Sequence, residues 1–472
     1  MASAMDEHRR LIKNTGMIAI GNMGTRLVSF LLLPLYTALL STSEYGVIDY
    51  LVSIAMFCVP FVSLLMDESI FRFLIDCKGE EDRKKVITTA MLIVMVGMIL
   101  FCVTGIPLML VLHYEFTGYT TIFTLLNVLF GMLSALLRGI GRTDLFSFFN
   151  FLLGATQIFL NVFFIVYLRL GLTGMLLASM LGQGMVTLFI IRKARIWNML
   201  AVKSIDVKLA KEMVLYSLPL IPNKISWTII NLSDRIIIMS VLGRSAAGLY
   251  AVAYKFPNLM DTVYGFFYQS WKESSARVLG DSRQEAFYNS VYWYLKNFMY
   301  SIVLGMAAFL PIVFRYIINK AYGEAFYYVP LLLLATYFSN ISGFYGGIFT
   351  AYKDTKIMGI TTIVAAFLNL VLHFSLILFI GMHAAALSTL AANFIVYAYR
   401  RVKLERYVHL RERWGEKAVS MMATALVVFM YYRNDMYMTV ISCTISVAYA
   451  IVMNRRLIMA LIRKMKGRKQ TT

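Results

Sequence analysis

Stretches of roughly 20 or more apolar residues, each long enough to cross the ~30 Å hydrocarbon core of a bilayer, follow one another along almost the whole chain. Lipid offers no partner to backbone polar groups, so segments of this kind close their hydrogen bonds internally as helices. About fourteen such spans occur, at 12–40, 46–76, 86–112, 119–140, 145–168, 172–191, 213–242, 246–272, 291–318, 328–350, 357–380, 384–400, 417–431 and 436–453. The last two are short. A chain that is 60% hydrophobic and only 15% charged, with a mean hydropathy of +0.70, is excluded from the soluble globular class. The apolar stretch after the charged opening "MASAMDEHRR" is too long for a cleavable signal and is expected to be a retained helix.

A net charge of +20 invites a nucleic-acid reading, but the basic residues alternate with the spans. With the N-terminus inside, inner segments carry about 34 Lys and Arg, and outer loops carry only Arg169, Arg244, Lys320 and Arg433. This is the positive-inside pattern of a multi-pass protein with both termini cytoplasmic. The segment "RRVKLERYVHLRERWGEK" and the tail "RRLIMALIRKMKGRKQTT" then read as topology signals beside anionic headgroups, with no nucleic acid as partner. Trp197, Trp271, Trp293 and Trp414 fall near inner ends, as an aromatic belt requires. Cys58, Cys77, Cys102 and Cys443 have no paired spacing, so neither a disulfide nor a metal site is expected, and no cofactor is implied.

The chain resembles itself at a shift of about 200 residues, as transporters built from repeats do. "STSEYGVIDYL" (41–51) lies over "GRSAAGLYAVA" (243–253), with Gly46 on Gly248, and Asn161 pairs with Asn369. Gly174, Ala178 and Gly182 recur at a constant offset of 210 as Ala384, Ser388 and Ala392. Small residues every four positions let helices approach closely in lipid. The expected architecture is an all-α integral membrane protein of two pseudo-symmetric six-helix lobes plus a C-terminal helix pair. The N-terminal lobe takes 1–195, a cytoplasmic linker 196–212, the C-terminal lobe 213–404, and the last pair with its basic tail 405–472.

Charges at lipid depth are costly and mark functional paths. Span 1 holds Arg26, sharing a face with Asn22, Ser29 and Tyr36. Span 2 holds Asp67, Glu68 and Arg72 near its inner end; span 7 holds Lys224, Asn231 and Arg235 on one face, with Asp234 beside them. Span 8 presents Tyr250, Tyr254, Asn258, Asp261, Tyr268 and Lys272 in a narrow arc, and Lys255 nearby. A wet lining with Arg26, Lys224 and Arg235 suits an anionic substrate, above all a phosphate, which Arg binds bidentately. A purely structural reading stays open: Asp234 neutralises a neighbouring cation, Lys255 snorkels outward, and Asp67, Glu68, Arg72 and Lys272 sit at headgroups. Pro34, Pro60, Pro219, Pro222 and Pro257 supply bend points in the same helices. There is no P-loop, HExxH or Cys/His cluster, "RGIGR" (138–142) has no strand before it, and His373 reads as a core histidine before a proton relay, so no catalytic residue is assigned.

The opening "NTGMIAIGNMGTRLVSFLLLPLYTALLSTSEYGVIDYL" (14–51), "ESIFRFL" (68–74) and "SDRIIIMSVLGRSAAGLYAVAYK" (233–255) resemble, in that order, parts of Wzx-type polysaccharide flippases of the MOP exporter superfamily, over about residues 12–405. The resemblance implies two lobes that open alternately inward and outward in a bacterial cytoplasmic (inner) membrane. It implies undecaprenyl-diphosphate-linked oligosaccharide as substrate, for O-antigen, capsule or exopolysaccharide, with a polysaccharide polymerase and a chain-length regulator as partners. Arg235, Lys224 and Arg26 then attract the diphosphate or acidic sugars, assisted by Asn22, Asn231, Lys255 and Tyr254. Asp234, Asp261, Asp67, Glu68 and Arg72 balance charge or sense a coupling cation. The competing readings are a lipid II or drug exporter of the same superfamily and a membrane-embedded polymerase or ligase. A drug exporter prefers an anionic lining; a polymerase carries a large outer loop, whereas the outer loops here run to about a dozen residues at most.

Overall fold

The computed structural model describes residues 30–468, apart from residues 31, 78 and 202–204. Among the described residues all regular structure is helical, and the chain divides into two compact units, Met1–Gly248 and Leu249–Thr472.

In the first unit α1 (Leu33–Leu39) leads into α2 (Thr42–Ser63). Ser41 and Glu44 form a reciprocal capping box there: the Glu44 carboxylate accepts from the Ser41 N–H at 2.9 Å, and the Ser41 hydroxyl accepts from the Glu44 N–H at 3.2 Å. The other Glu44 oxygen accepts from the Leu172 N–H at 3.2 Å, tying this turn to the start of α7 (Gly171–Lys193). The sequence predicts one span over 46–76 bent at Pro60. Instead α2 ends at Ser63, and Leu64 and Leu65 both take the left-handed conformation (φ 50° and 52°) before α3 (Met66–Asp76) begins. Pro60 withholds a backbone donor from the last turns of α2. Across from the break, Gly97 of α4 (Glu80–Leu100) lies so close that a Cβ there would sit 2.2 Å from the Val62 carbonyl oxygen. The break also accounts for Asp67 and Glu68, which fall in the first turn of α3, where the helix dipole favours carboxylates.

A π turn (Phe101–Gly105) carries α4 on through Ile106–Val111, and α5 (Thr117–Gly139), α6 (Thr143–Asn161) and α7 complete the apolar bundle. Its core joins Met66 and Ile70 of α3, Ile87 and Ala90 of α4, Leu133, Leu136 and Leu137 of α5 and Ile190 of α7, each at most 1% exposed. The predicted linker is a docked segment. Ala201 and Asp206 donate their N–H groups to Thr88 and Thr89 of α4, Asp206 caps α8 (Val207–Ser217), and the Ser69 hydroxyl donates to the Met213 carbonyl. Next, α9 (Ile221–Val241) packs along α2.

The second unit takes up the chain within α10 (Arg244–Arg277) and continues through α11 (Gln284–Tyr316), α12 (Val329–Ala351), α13 (Thr355–Ile380), α14 (His383–Leu404), α15 (Trp414–Arg433) and α16 (Met436–Arg468). Its central helix is α12, buried along most of its length. The Trp271 indole of α10 stacks on Phe344 at 4.3 Å and donates to the Phe344 carbonyl at 3.0 Å. A Cβ at Gly347 would meet that indole at 2.4 Å. At 2% exposure Trp271 is core, which corrects its reading as part of an interfacial belt; Trp197 and Trp414 are 67% and 82% exposed.

The internal repeat extends to packing. In the first unit Gly174, Ala178 and Gly182 of α7 are buried, with Gly174 and Gly182 closely approached from Phe164 and Gln157. In the second, Ala384, Ser388 and Ala392 of α14 are fully buried, and Asn369 of α13 reaches Ser388 and Thr389 at 3.4 and 3.1 Å. The equivalent asparagines, Asn161 and Asn369, are both buried.

Nine described helices are long and apolar enough to cross a membrane. The predicted spans that fall short include α9, α10, α14 and α15, of 21, 34, 22 and 20 residues, which are long enough but carry the charges described below. Large apolar side chains such as Val96, Ile99, Phe159, Leu188, Phe367, Leu378, Met421 and Val452 are exposed on the outer faces of the bundles. Contiguous apolar surface on this scale needs a lipid solvent.

Candidate functional site

The charged cluster of the first unit is built where α9 lies along α2. Arg235, 9% exposed, directs its Nε to the Asp49 carboxylate at 2.5 Å. Tyr45, one turn before Asp49 on α2, is 2% exposed and holds its ring 6.1 Å from that of Tyr36. Asp234, 2% exposed, is buried beside the pair. Beyond the end of α9, the first turns of α10 meet the first turns of α2, and Gly46 and Gly248 pack backbone on backbone: a Cβ at Gly46 would lie 2.1 Å from the Arg244 carbonyl oxygen, and one at Gly248 1.9 Å from that of Thr42. The hydroxyls of Thr42 and Ser245 are 2.7 Å apart. Arg244 is ion-paired with Glu115. Glycine is required at both positions because the backbones touch.

Of the remaining predicted residues, Asn22, Arg26 and the Asn231 side chain lie outside the described residues, so the shared cationic face of Arg26, Lys224 and Arg235 is described only in part. Lys224 is exposed on α9. Arg72 is exposed and pairs with Asp76 at 2.6 Å, one helical turn away. Asp67 is half-buried and Glu68 exposed. In the second unit the α10 stripe holds Tyr250 and Tyr254, buried with rings 5.9 Å apart, and half-buried Lys255 and Asp261. Tyr264 stacks on Tyr268 at 5.6 Å, and Lys272 lies over the Tyr268 ring at 5.6 Å. His373 is fully buried in α13. No group of three or more potential metal ligands occurs among the described residues.

Sequence reasoning misses three features. Asp49, the carboxylate facing Arg235, sits in the turn-and-helix "STSEYGVIDYL", one turn beyond Tyr45, where it reads as part of a helix start. Arg400, 1% exposed, reads in the sequence as a headgroup cation. It donates to the Thr361 and Thr362 hydroxyls at 2.9 and 3.2 Å and to the Ser342 and Met358 carbonyls at 3.2 and 3.3 Å. A signal is present: Arg400 continues the buried every-fourth-residue stripe Ala384, Ser388, Ala392, Val396. Third, "RRVKLERYVHLRERWGEK" holds a network of charge pairs. Arg401 and Lys417 pair with Glu412, Lys296 with Glu416, and Tyr292 and Trp293 donate to Glu412 and Glu416 at 2.9 and 3.0 Å. Burial pushes the Glu412 carboxyl up, but hydrogen bonds from Lys417 and Tyr292 and the charges of Lys417 and Arg401 outweigh it and hold it below the ordinary range.

A model of the family described as polysaccharide biosynthesis protein matches residues 11–271. No curated protein matches the chain. Among solved structures, the lipid II flippase MurJ in an inward closed conformation is similar over 94% of this chain and 99% of its own, at 16% identity and a TM-score of 0.71. An inward-facing multidrug resistance MATE family transporter of the MOP superfamily is similar over 82% and 98%, at 14% identity and 0.64. A Vibrio cholerae MATE transporter is similar over 86% and 98%, at 14% and 0.54. At these identities the likeness is one of fold. By the family match over more than half its length, the chain belongs to the polysaccharide biosynthesis protein family of multi-pass membrane proteins.

Proposed function

We propose that this chain flips a diphosphate-linked lipid oligosaccharide from the inner to the outer leaflet of a bacterial cytoplasmic membrane by alternating access, in the assembly of an O-antigen, capsule or exopolysaccharide. The observation that carries this reading is the coincidence of a polysaccharide-biosynthesis family with a fold matched nearly end to end by a lipid II flippase. Transporter structures on the same fold count against the polymerase or ligase reading. Arg26, Lys224 and Arg235 are the proposed cations for the diphosphate or acidic sugars, with Asn22, Asn231, Lys255 and Tyr254 beside them on the path. Asp234, Asp261, Asp67, Glu68 and Arg72 are proposed for charge balance or ion coupling. Asp49 joins them as the carboxylate that holds Arg235 until an anionic substrate competes for it.

In a deletion strain of the native host, lipid-linked repeat units are expected to accumulate facing the cytoplasm, inaccessible to a membrane-impermeant sugar-modifying probe until the gene is restored. Accumulation on the outer leaflet would point to a polymerase, and no accumulation to a drug or small-solute exporter. Wild-type glycan output from the Arg26→Ala/Lys224→Ala/Arg235→Ala variant would remove the cationic path.

A further inference from the structure

A second basic site lies in the first unit, away from the Asp49–Arg235 cluster. Three segments distant in sequence close a pocket of about 530 Å³: the first turns of α4, the turn after α5, and the 3-10 turn Ile196–Met199 after α7. Arg83, Lys84, Arg142 and Arg195 supply four cations against one carboxylate, Glu80. Among the described residues none of the four cations is ion-paired. Half-buried Ile140 and Met199 lie between them beside Asn198, over the buried Ile87 and Ala194.

The geometry is fixed from below. Ile87, Ala194 and Ile196 are buried in the core, and the Ala201 N–H donates to Thr88 at 3.0 Å, holding the 3-10 turn on α4. Gly141 (φ 82°) and Arg195 (φ 51°) turn the chain sharply beside the pocket. A topology signal needs only the charge; it does not need exposed Arg83, Arg142 and Arg195 and half-buried Lys84 brought from three segments to one open pocket. Trp197, in the same 3-10 turn, is 67% exposed, the placement of an indole at a membrane interface.

We infer that this pocket binds a phosphate-bearing anion, with the phosphate held by Arg83, Arg142, Arg195 and Lys84 and an apolar neighbouring group against Ile140 and Met199. An anionic phospholipid headgroup and a soluble polyphosphate share this chemistry. Basic pockets at the ends of membrane helices are suited to such headgroups, and the pocket does not depend on what the chain transports.

The test uses the purified full-length protein in neutral detergent. Cardiolipin is titrated by native mass spectrometry, and inorganic pyrophosphate by calorimetry. The Arg83→Gln/Arg142→Gln/Arg195→Gln variant is compared with Lys193→Gln/Lys208→Gln/Lys211→Gln, which removes the same charge from neighbouring exposed positions outside the pocket. The pocket variant is expected to weaken cardiolipin binding by about tenfold or more, and the control by less than about threefold. Loss confined to cardiolipin identifies a lipid site; an equal loss for pyrophosphate identifies a soluble polyphosphate. Equal weakening in both variants, or none in either, overturns the pocket. If the triple variant fails to insert, single Arg142→Gln and Arg195→Gln variants give the same comparison.

Discussion

A guanidinium and a carboxylate taken out of water together survive only as a pair, and Arg235 with Asp49, their side chains 10% and 20% exposed, is such a pair. Removing one partner strands the other. Asp49→Ala is expected to destabilise the protein by about 3–5 kcal/mol, whereas Asp49→Leu combined with Arg235→Leu recovers most of that loss. Thermal denaturation of the detergent-purified Asp49→Leu, Arg235→Leu and double variants, analysed as a double-mutant cycle, checks both; a loss in the double variant equal to the sum of the two single losses would show that the two groups are not coupled. The chemistry of Arg235 is legible in the sequence, because a cation in an apolar helix demands a partner. Its partner is not, because nothing in one sequence states which helix lies beside α9. Arg400 shows the same limit in a different form. Four hydrogen bonds to neutral oxygens, with no carboxylate among them, hold it, and they come from α12 and α13, whose proximity to α14 only the fold reveals.

Helix termini and crossings set the next group of expectations. Around Glu412, the loop before α15 is pinned to α11 by Tyr292 and to α14 by Arg401. Because the folded carboxyl titrates below its ordinary value of 4.5, its contribution to stability is complete above that pH and is lost as the pH falls through the lower, folded value. Glu412→Gln is therefore expected to lower the melting temperature at pH 7 yet to reduce the further fall between pH 5 and 3; an unchanged acid profile would exclude Glu412 as its source. At the Gly46–Gly248 crossing, hydroxyls 2.7 Å apart place Thr42 and Ser245 within reach of a disulfide. In a variant whose four native cysteines are replaced by serine, Thr42→Cys with Ser245→Cys is expected to cross-link under mild oxidation, and adding Gly46→Val to abolish the link. Cross-linking that persists after the Gly46→Val change would show that the close approach does not depend on glycine. The glycine match across the repeat is visible in the sequence; that the two matched glycines touch each other is not.

At the scale of the whole chain, apolar length and the repeat reveal the class of fold because both are written in every span, and the paired small-residue stripes of α7 and α14 carry the repeat into packing. The break at Leu64–Leu65 escapes, since left-handed leucines leave no compositional mark and the neighbouring proline points four residues too early. Orientation is the global property still read from charge alone. The turns expected outside carry few cations, and one of them, Arg244, is offset by Glu115, while the segments expected inside carry most of the remaining Lys and Arg. The hairpin of α15 and α16 offers a direct measurement, because Trp414 at the start of α15 and Tyr437 at the start of α16 are each 82% exposed, and a helix of 20 residues spans about 30 Å. In the cysteine-free background, Tyr437→Cys is expected to react with an impermeant maleimide in intact cells, and Trp414→Cys only after permeabilisation. The reverse pattern would invert the topology, put the pocket of Arg83, Arg142 and Arg195 on the outer face, and remove the cytoplasmic side from which the proposed substrate is loaded.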